Sequence, residues 1–339
     1  MGCGPGRRQA LRRRPAGQPD QHDRGADHRG RRIADSENLV ACHNFTRGHR
    51  RRHGDVDPRR SDLTDIRKVV DREGGCIVWG GAVRLSPADD ILIGVERPLD
   101  FDSEGQLVAS VLSKKIAAGS THVVLDLPVG PTAKLRDAGA ATRLAGRLKE
   151  VAAAFGLTVE IVLTDGTQPI GRGIGPALEA RDVLAVLQNE SGSPSDLRLR
   201  ALTLAAHLLE LAGAAPPGNG LRMAQDILAT GTAWRKFQGI CEAQGGMRKL
   251  AQALHRHDVT ASRDGSINTI HNRKLAKVAK LAGAPRAALA GVDFHAPVGT
   301  KVSRGQLLFT IHAETQGELA YSLAYAMAHD DIVQIGDAL

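Results

Sequence analysis

The sequence predicts an α/β fold, in which a mixed sheet flanked by helices is joined to a small helical domain and a C-terminal α+β domain. Apolar strand-like runs alternate with stretches of helical periodicity from about residue 61 to residue 250, the pattern of a sheet covered by helices. After about residue 255, short β segments with paired glycines are typical of a small barrel-like unit. The 339 residues are enough for two or three domains with cores of their own.

Residues 102–115, DSEGQLVASVLSKK, are predicted to form a helix that begins in an acidic turn. Ser103 is expected to cap its N-terminus, and Gln106 three residues later completes a capping box. The apolar side chains recur at i and i+4 spacings, which gives the helix one buried stripe. The members of this stripe are Leu107, Val108, Val111, Leu112 and Ile116.

Ser110 and Lys114 are four residues apart and therefore share one face of this helix. A hydroxyl and an ammonium on that face, with Asp102 just before the helix begins, could hold a polar planar ligand. The simpler alternative is a solvated face on an ordinary amphipathic helix. Spacing alone leaves both interpretations open.

The other elements follow from the same periodicities, with glycines and turn residues marking their ends. The predicted helices are 63–73, 140–155, 176–188, 197–212, 220–230, 234–244, 272–283 and 318–329, and the main predicted strands are 76–79, 91–95, 121–127 and 159–163, with two short strands in 259–270.

Two loops follow predicted strands where α/β proteins commonly bind ligands. Lys134 lies just beyond strand 121–127 and is well placed for an anion, although a lone lysine there is more often a surface residue. The glycine-rich loop 164–175 precedes helix 176–188 and could cradle a phosphate at the helix N-terminus. It matches neither a Walker A motif nor a dinucleotide fingerprint, so its signal is weak.

Positive charge is concentrated in residues 1–60. They hold 15 Arg, no Lys and 7 acidic residues, whereas the remainder holds 30 basic and 30 acidic side chains. A nucleic-acid partner therefore depends on this segment alone, and we expect none for the body of the chain. The longest apolar runs are too short to cross a bilayer, so we expect no membrane partner. Four scattered cysteines without metal or disulfide spacing fit a reducing cytoplasm and predict no metal site.

Residues 1–60 have the composition of a disordered segment, without helical or strand periodicity. A basic tail is one interpretation, and translation of GC-rich DNA in the wrong frame is another. Codons compatible with residues 6–58 can be chosen so that a one-base shift reads a string containing MIVVPIIAAAG and TSSRAITSPAGTAD. We therefore hypothesise that residues from about 6 to 58 are a frame-shifted product.

Several stretches resemble the thymidine phosphorylase and AMP phosphorylase family, and most closely its type 2 thymidine phosphorylases. They are REGGCIVWGGAVRLSPADD, ASVLSKK, THVVLDLPVGPTAK, LTDGTQPIGRGIGPALEARDVL and GQLLFTIHAE, in order over roughly residues 62–335. The shifted string TSSRAITSPAGTAD also resembles a motif of that family. The resemblance implies a nucleoside phosphorylase α/β domain in 61–250, with a helical-domain insertion at about 97–118. It also implies a C-terminal α+β domain in 255–339.

The resemblance further implies phosphorolysis, in which inorganic phosphate attacks the anomeric carbon of a nucleoside without any cofactor. Asp102 resembles the proton donor of the AMP phosphorylase branch, and Ser110 and Lys134 resemble its substrate-binding residues. In the pyrimidine branch the matching positions that hold the base are Ser110 and Lys114, with Arg97 as the nearest match to an upstream arginine whose spacing differs slightly.

The function implied is thymidine phosphorolysis to thymine and 2-deoxyribose 1-phosphate by a homodimer. Because the family's phosphate-binding region is present only in the shifted frame, we expect the chain as written to have little or no activity. One alternative is a nucleoside-monophosphate phosphorylase of AMP type, which Asp102 and Lys134 keep open. Another is a non-enzymatic α/β module with a basic nucleic-acid-binding tail, whose binding would be sensitive to salt.

Overall fold

The computed structural model describes residues 63–77, 104–247 and 250–337, which belong to one compact unit. The elements predicted at 78–103, including the strand 91–95, lie outside the described residues. The first described element is helix α1 (Leu63–Glu73), which closes at Gly74 and packs against a helix much later in the chain. Cys76 and Ile77 have no regular secondary structure, and the rest of the predicted strand 76–79 is not described.

The next segment is a βαβ unit. Helix α2 (Glu104–Ala117) leads through a tight turn into β1 (His122–Val129), helix α3 (Ala138–Ala154) follows, and β2 (Thr158–Asp165) pairs with β1 in parallel. Successive side chains of β1 point to opposite faces of the sheet. Val123 and Leu125 pack with α2 and α3, whereas Asp126 contacts a helix on the other face.

Short strand β3 (Gly173–Ile174) precedes four helices, α4 (Pro176–Leu187), α5 (Ser195–Leu211), α6 (Gly220–Ala229) and α7 (Thr232–Ala243). Helix α5 covers β1 and β2 on the face opposite α3, and α7 packs on α1. Buried apolar residues of α4, α5, α6 and α7 form two small clusters. These helices begin and end within two residues of the predicted bounds.

The C-terminal part has two antiparallel sheets. The first sheet has the strand order β3-β6-β8-β4 and contains β4 (His255–Thr260), β6 (Gly291–Phe294) and β8 (Leu307–Ala313) beside β3. The second sheet has the order β7-β5-β9 and contains β5 (Gly265–Ile270), β7 (Lys301–Val302) and β9 (Val333–Gly336). Because β3 comes from the preceding segment, the first of these sheets contains residues from both sides of position 255. The division at about 250–255 remains a proposal.

Helices α8 (Asn272–Leu281) and α9 (Gln316–Met327) cover these sheets, and the largest buried apolar cluster lies between them. The predicted α/β fold with an α+β C-terminal part is confirmed. No helix in the described ranges is long and apolar enough to cross a membrane.

Candidate functional site

Helix α2 is held by the apolar stripe that its sequence predicts. Val108, Val111 and Leu112 are buried in a cluster with β1 and α3, and Leu107 and Ile116 are half-buried at its border. Burying each such aliphatic side chain stabilises the fold by roughly 1.5–3 kcal/mol. The helix therefore has a fixed orientation on the βαβ unit.

Ser110 and Lys114 lie one turn apart on α2, and both are half-buried. The Oγ of Ser113 donates a long hydrogen bond of 3.5 Å to the carbonyl of Ser110. The structure thus brings together the predicted hydroxyl and ammonium on one helix face at the border of the packed cluster. The other two predicted residues near this helix, Asp102 and Arg97, lie outside the described residues.

Lys115 is a residue that sequence reasoning missed. Its side chain is buried, with 3 % exposure, although its neighbour Lys114 is only half-buried. The signal was present in the spacing, because Lys115 follows Val108 by seven residues and Val111 by four and so falls on the buried stripe. A charged side chain is costly to bury, which makes this end of α2 sensitive to substitution.

Lys134 lies on a short closed loop at the carboxyl end of β1. Gly130 donates its N–H to the carbonyl of Leu135 at 2.9 Å and accepts from the N–H of Ala133 at 3.0 Å. A Cβ on Gly130 would come within 2.5 Å of the Gly166 carbonyl, so glycine is required where the loops after β1 and β2 touch. Lys134 is exposed on a loop with little conformational freedom, as a ligand-binding lysine at this sheet edge would need.

The C-terminal part holds both loops in place. The backbone N–H of Asn272, at the start of α8, donates to the Oγ1 of Thr132 at 3.2 Å, and its Nδ2 donates to the carbonyl of Gly166 at 2.9 Å. The N–H of Val298 donates to the Oε1 of Gln168 at 2.8 Å. The loop that carries Lys134 is thus fixed by residues more than a hundred positions away in sequence.

The carboxyl ends of β1 and β2 are tied to α5 by an ion pair. Arg200 donates to the Oδ2 of Asp126 at 2.8 Å and to the backbone carbonyl of Asp165 at 2.7 Å. The hydroxyl of Thr164 donates to the second oxygen of Asp126 at 2.5 Å. Both side chains of the ion pair are 14 % exposed, so this network restrains the sheet edge from the face opposite α3.

The glycine-rich loop is not arranged as a phosphate cradle. The Oδ2 of Asp182 accepts the N–H groups of Arg172 and Gly173 at 2.6 and 2.7 Å, and Asp196 accepts that of Gly171 at 3.1 Å. At the start of α4, Gly175 donates its N–H to Glu179. Because carboxylates already accept these N–H groups, the expectation that loop 164–175 binds phosphate is not supported by its geometry.

Known proteins match this chain over most of its length. Residues 266–329 match the profile of the pyrimidine nucleoside phosphorylase C-terminal domain. A protein of Acidovorax sp. (strain JS42) named "Putative thymidine phosphorylase 2" is 62 % identical over 280 residues, which cover 83 % of this chain and 55 % of that relative. A relative of the same type from Polaromonas sp. (strain JS666 / ATCC BAA-500) is 61 % identical over 274 residues, which cover 81 % of this chain and 54 % of that protein.

A further relative, from Sphingopyxis alaskensis, is 60 % identical over 280 residues, which cover 83 % of this chain and 54 % of that protein. The chain therefore spans about half the length of the curated relatives it matches. Residues 266–329 are thus similar to the C-terminal domain of pyrimidine nucleoside phosphorylases, and most of the chain is similar to relatives named putative thymidine phosphorylase.

Proposed function

We propose that this chain carries the base-binding part of a nucleoside phosphorylase that acts on thymidine. The observation that supports this most is the half-buried face of α2, on which Ser110 and Lys114 lie one turn apart. The relatives named thymidine phosphorylase support the substrate class. Under this proposal the protein is a homodimeric cytoplasmic pentosyltransferase whose substrates are a nucleoside and inorganic phosphate.

In the proposed reaction an oxygen of inorganic phosphate forms a bond to C1′ of the sugar while the bond from C1′ to the base nitrogen breaks. The bonding electrons leave with the base, and a proton completes thymine beside 2-deoxyribose 1-phosphate. The hydroxyl of Ser110 and the ammonium of Lys114 would orient the base and stabilise the negative charge that develops on it. No electron acceptor is needed, so the reaction requires no cofactor.

Three further residues have roles in this proposal by resemblance to the family. Asp102 would donate the proton to the leaving base, which requires a raised carboxyl pKa. Arg97 would contact the base beside Ser110. Lys134 would bind the substrate from the loop after β1, and its position at the carboxyl end of a parallel strand supports that role.

We also propose that residues 6–58 are a frame-shifted product. The support is codon compatibility with a string that contains TSSRAITSPAGTAD, which resembles the family's phosphate-side motif. The chain as written would then have the base side of the site with little phosphorolytic activity. Resequencing the DNA across codons 1–62 tests this directly, because bases that do not permit the shifted string would end the proposal.

The second candidate is a nucleoside-monophosphate phosphorylase of AMP type. Its support is the exposed position of Lys134 on a rigid loop, where an ammonium could reach a 5′-phosphate. A substrate panel of thymidine, uridine, AMP and CMP with inorganic phosphate separates the two activities. Faster release of thymine than of adenine supports the first candidate, and the reverse order supports the second.

The experiment that tests base binding is calorimetry with thymine on the chain as it exists. We expect Ser110→Ala and Lys114→Met each to weaken thymine binding by about tenfold or more, since each removes a direct polar contact of order 1–3 kcal/mol. Lys149→Met, at an exposed position on α3, is the matched control and should bind as the parent does. If neither α2 substitution changes the affinity for thymine, the proposal that this face binds the base is refuted.

A further inference from the structure

A cleft of about 900 Å³ lies on the C-terminal part of the chain, away from α2 and the Lys134 loop. One wall is formed by α4 and residues 250–254, and the floor is the polar face of strands β4, β6 and β8. Five leucines give the cleft an apolar lining beside this polar floor. They are Leu178, Leu250, Leu254, Leu289 and Leu307.

The strand register arranges the polar floor in two rows. The first row runs across Asp258, Thr310 and Asp293, which are register partners on neighbouring strands. Each carboxylate of this row has a partner, because Thr310 donates to Asp258 at 2.7 Å and Arg181 of α4 donates to both oxygens of Asp293 at 2.6 and 2.8 Å. The carboxylates of this row are therefore already engaged.

The second row runs across Arg256, His312 and Gly291, and it is not satisfied in the same way. His312 lines the cleft and is more than nine-tenths buried, with 7 % exposure, yet no residue within the described ranges forms a hydrogen bond with its imidazole. The guanidinium of Arg256 makes one long contact of 3.5 Å, to Gln252. Gly291 contributes no side chain to this row, because the carbonyl of Ile174 lies where its Cβ would be.

The pKa of His312 is lowered by its surroundings. Burial is the largest cause that lowers its pKa below the usual value of 6.5. Arg256 on β4, Arg181 on α4 and His295 after β6 lower this pKa further, and only Asp293 on β6 opposes them. Because Arg181 is already paired with Asp293, Arg256 is the guanidinium beside His312 that can hold an anion, which would offset the like charges around the imidazole.

We propose that this cleft is a second ligand site, which binds a small phosphomonoester with an apolar body. The anionic group lies over Arg256 and His312, where it accepts hydrogen bonds from the guanidinium and the imidazole. The apolar body lies against the leucines that line the cleft. This combination of a few convergent polar groups with an apolar wall is typical of small-molecule sites.

Phenyl phosphate is the probe that combines both features, and benzoate tests whether a carboxylate serves as well. We expect calorimetry at pH 6.5 to show phenyl phosphate binding that weakens at least tenfold in Arg256→Gln and in His312→Gln. Arg286→Gln is the matched control at an exposed arginine outside the cleft and should bind as the parent does. Lys114→Met should also leave this binding unchanged, which separates the cleft from the proposed thymine site.

A second measurement is needed because His312 is buried and its replacement could unfold the chain. Histidine NMR on the parent should show a rise in the pKa of His312 when phenyl phosphate is added, and Arg256→Gln, at an exposed position, should abolish that rise. No binding at millimolar phenyl phosphate, equal binding by Arg256→Gln, or loss of binding in Lys114→Met would each overturn the proposal. Benzoate binding with the same dependence on Arg256 would support the site and widen its ligands to carboxylates.

Discussion

Among single residues, Arg181 and Asp293 form a bidentate ion pair that links α4 to the C-terminal sheet. The guanidinium contacts both carboxylate oxygens, and its own pKa is raised chiefly by the hydrogen bonds to Asp293. Arg181 also donates to Asp182, which in turn holds the glycine-rich loop. A substitution at Asp293 is therefore expected to alter the contacts that hold the glycine-rich loop after β2.

Replacing Asp293 with Asn removes the charge that accepts both hydrogen bonds. We expect Asp293→Asn to lower the free energy of unfolding by about 1–2 kcal/mol, because the aspartate is mostly buried while the arginine is 44 % exposed and partly screened by solvent. Urea denaturation measures this. Asp337→Asn, in an exposed pair with Arg263, is the control and should leave the midpoint unchanged. Equal stability of parent and Asp293→Asn would show that the pair contributes nothing.

His312 predicts a definite dependence of stability on pH. Its folded-state pKa lies below the unfolded value near 6.5, so below pH 6.5 the unfolded chain binds more protons than the folded chain. The stability contributed by neutral His312 is fully present above pH 6.5 and is lost as the pH falls toward its folded pKa. The slope reaches at most about 1.4 kcal/mol per pH unit for one proton.

The test is urea denaturation at pH 7.5, 6.5 and 5.5 for the parent and His312→Gln. The parent should lose stability between pH 6.5 and pH 5.5, and the variant should lose less over the same interval. If the free energy of unfolding of His312→Gln falls with pH as steeply as that of the parent, His312 is not the group that titrates.

Among the elements, α2 was the most predictable because its signals are local. The apolar spacing from Leu107 to Ile116 fixes the buried face, and the structure confirms the helix within two residues of its predicted bounds. The glycine-rich loop shows the opposite case. Its N–H groups donate hydrogen bonds to Asp182 on α4 and Asp196 on α5. No local pattern in residues 164–175 predicts those contacts.

Strand β3 was also beyond prediction, since Gly173 and Ile174 are too few residues to show any alternation. What specifies it is packing. A Cβ on Gly175 would come within 2.4 Å of the Ala290 carbonyl and 2.9 Å of the Gly291 Cα, and the φ of Gly175 is +134°. The close approach of β3 and β6 thus depends on a glycine whose requirement is visible only in three dimensions.

Substituting Gly175 with Ala should therefore destabilise the junction between α4 and the C-terminal sheet. We expect Gly175→Ala to cost about 2 kcal/mol or more, because both the backbone conformation and the space exclude a side chain. Gly146→Ala is the control on α3, where open space and a helical position predict a gain of roughly 0.5–1 kcal/mol. Thermal unfolding compares the two, and a neutral Gly175→Ala would contradict the packing argument.

For the whole molecule, the C-terminal part acts as a support for the candidate site. Asn272 and Val298 contact the two loops at the carboxyl ends of β1 and β2, and β3 continues into the C-terminal sheet. The sequence predicted the order of the helices and strands and the face of α2. It could not predict these long-range contacts, which join residues separated by more than a hundred positions.

Under the proposed function, α2 carries the base side of a thymidine phosphorylase site, and the phosphate side is present in the shifted reading of residues 6–58. The direct measurement is thymine released from thymidine and inorganic phosphate by three purified chains: the chain as written, the chain with codons 6–58 restored to the shifted frame, and the restored chain with Lys114→Met.

We predict that the restored chain releases thymine, that the chain as written is slower by about a thousandfold or more, and that Lys114→Met lowers kcat/KM of the restored chain by about a hundredfold. Full activity of the chain as written, or a restored chain whose activity does not depend on Lys114, would contradict the account.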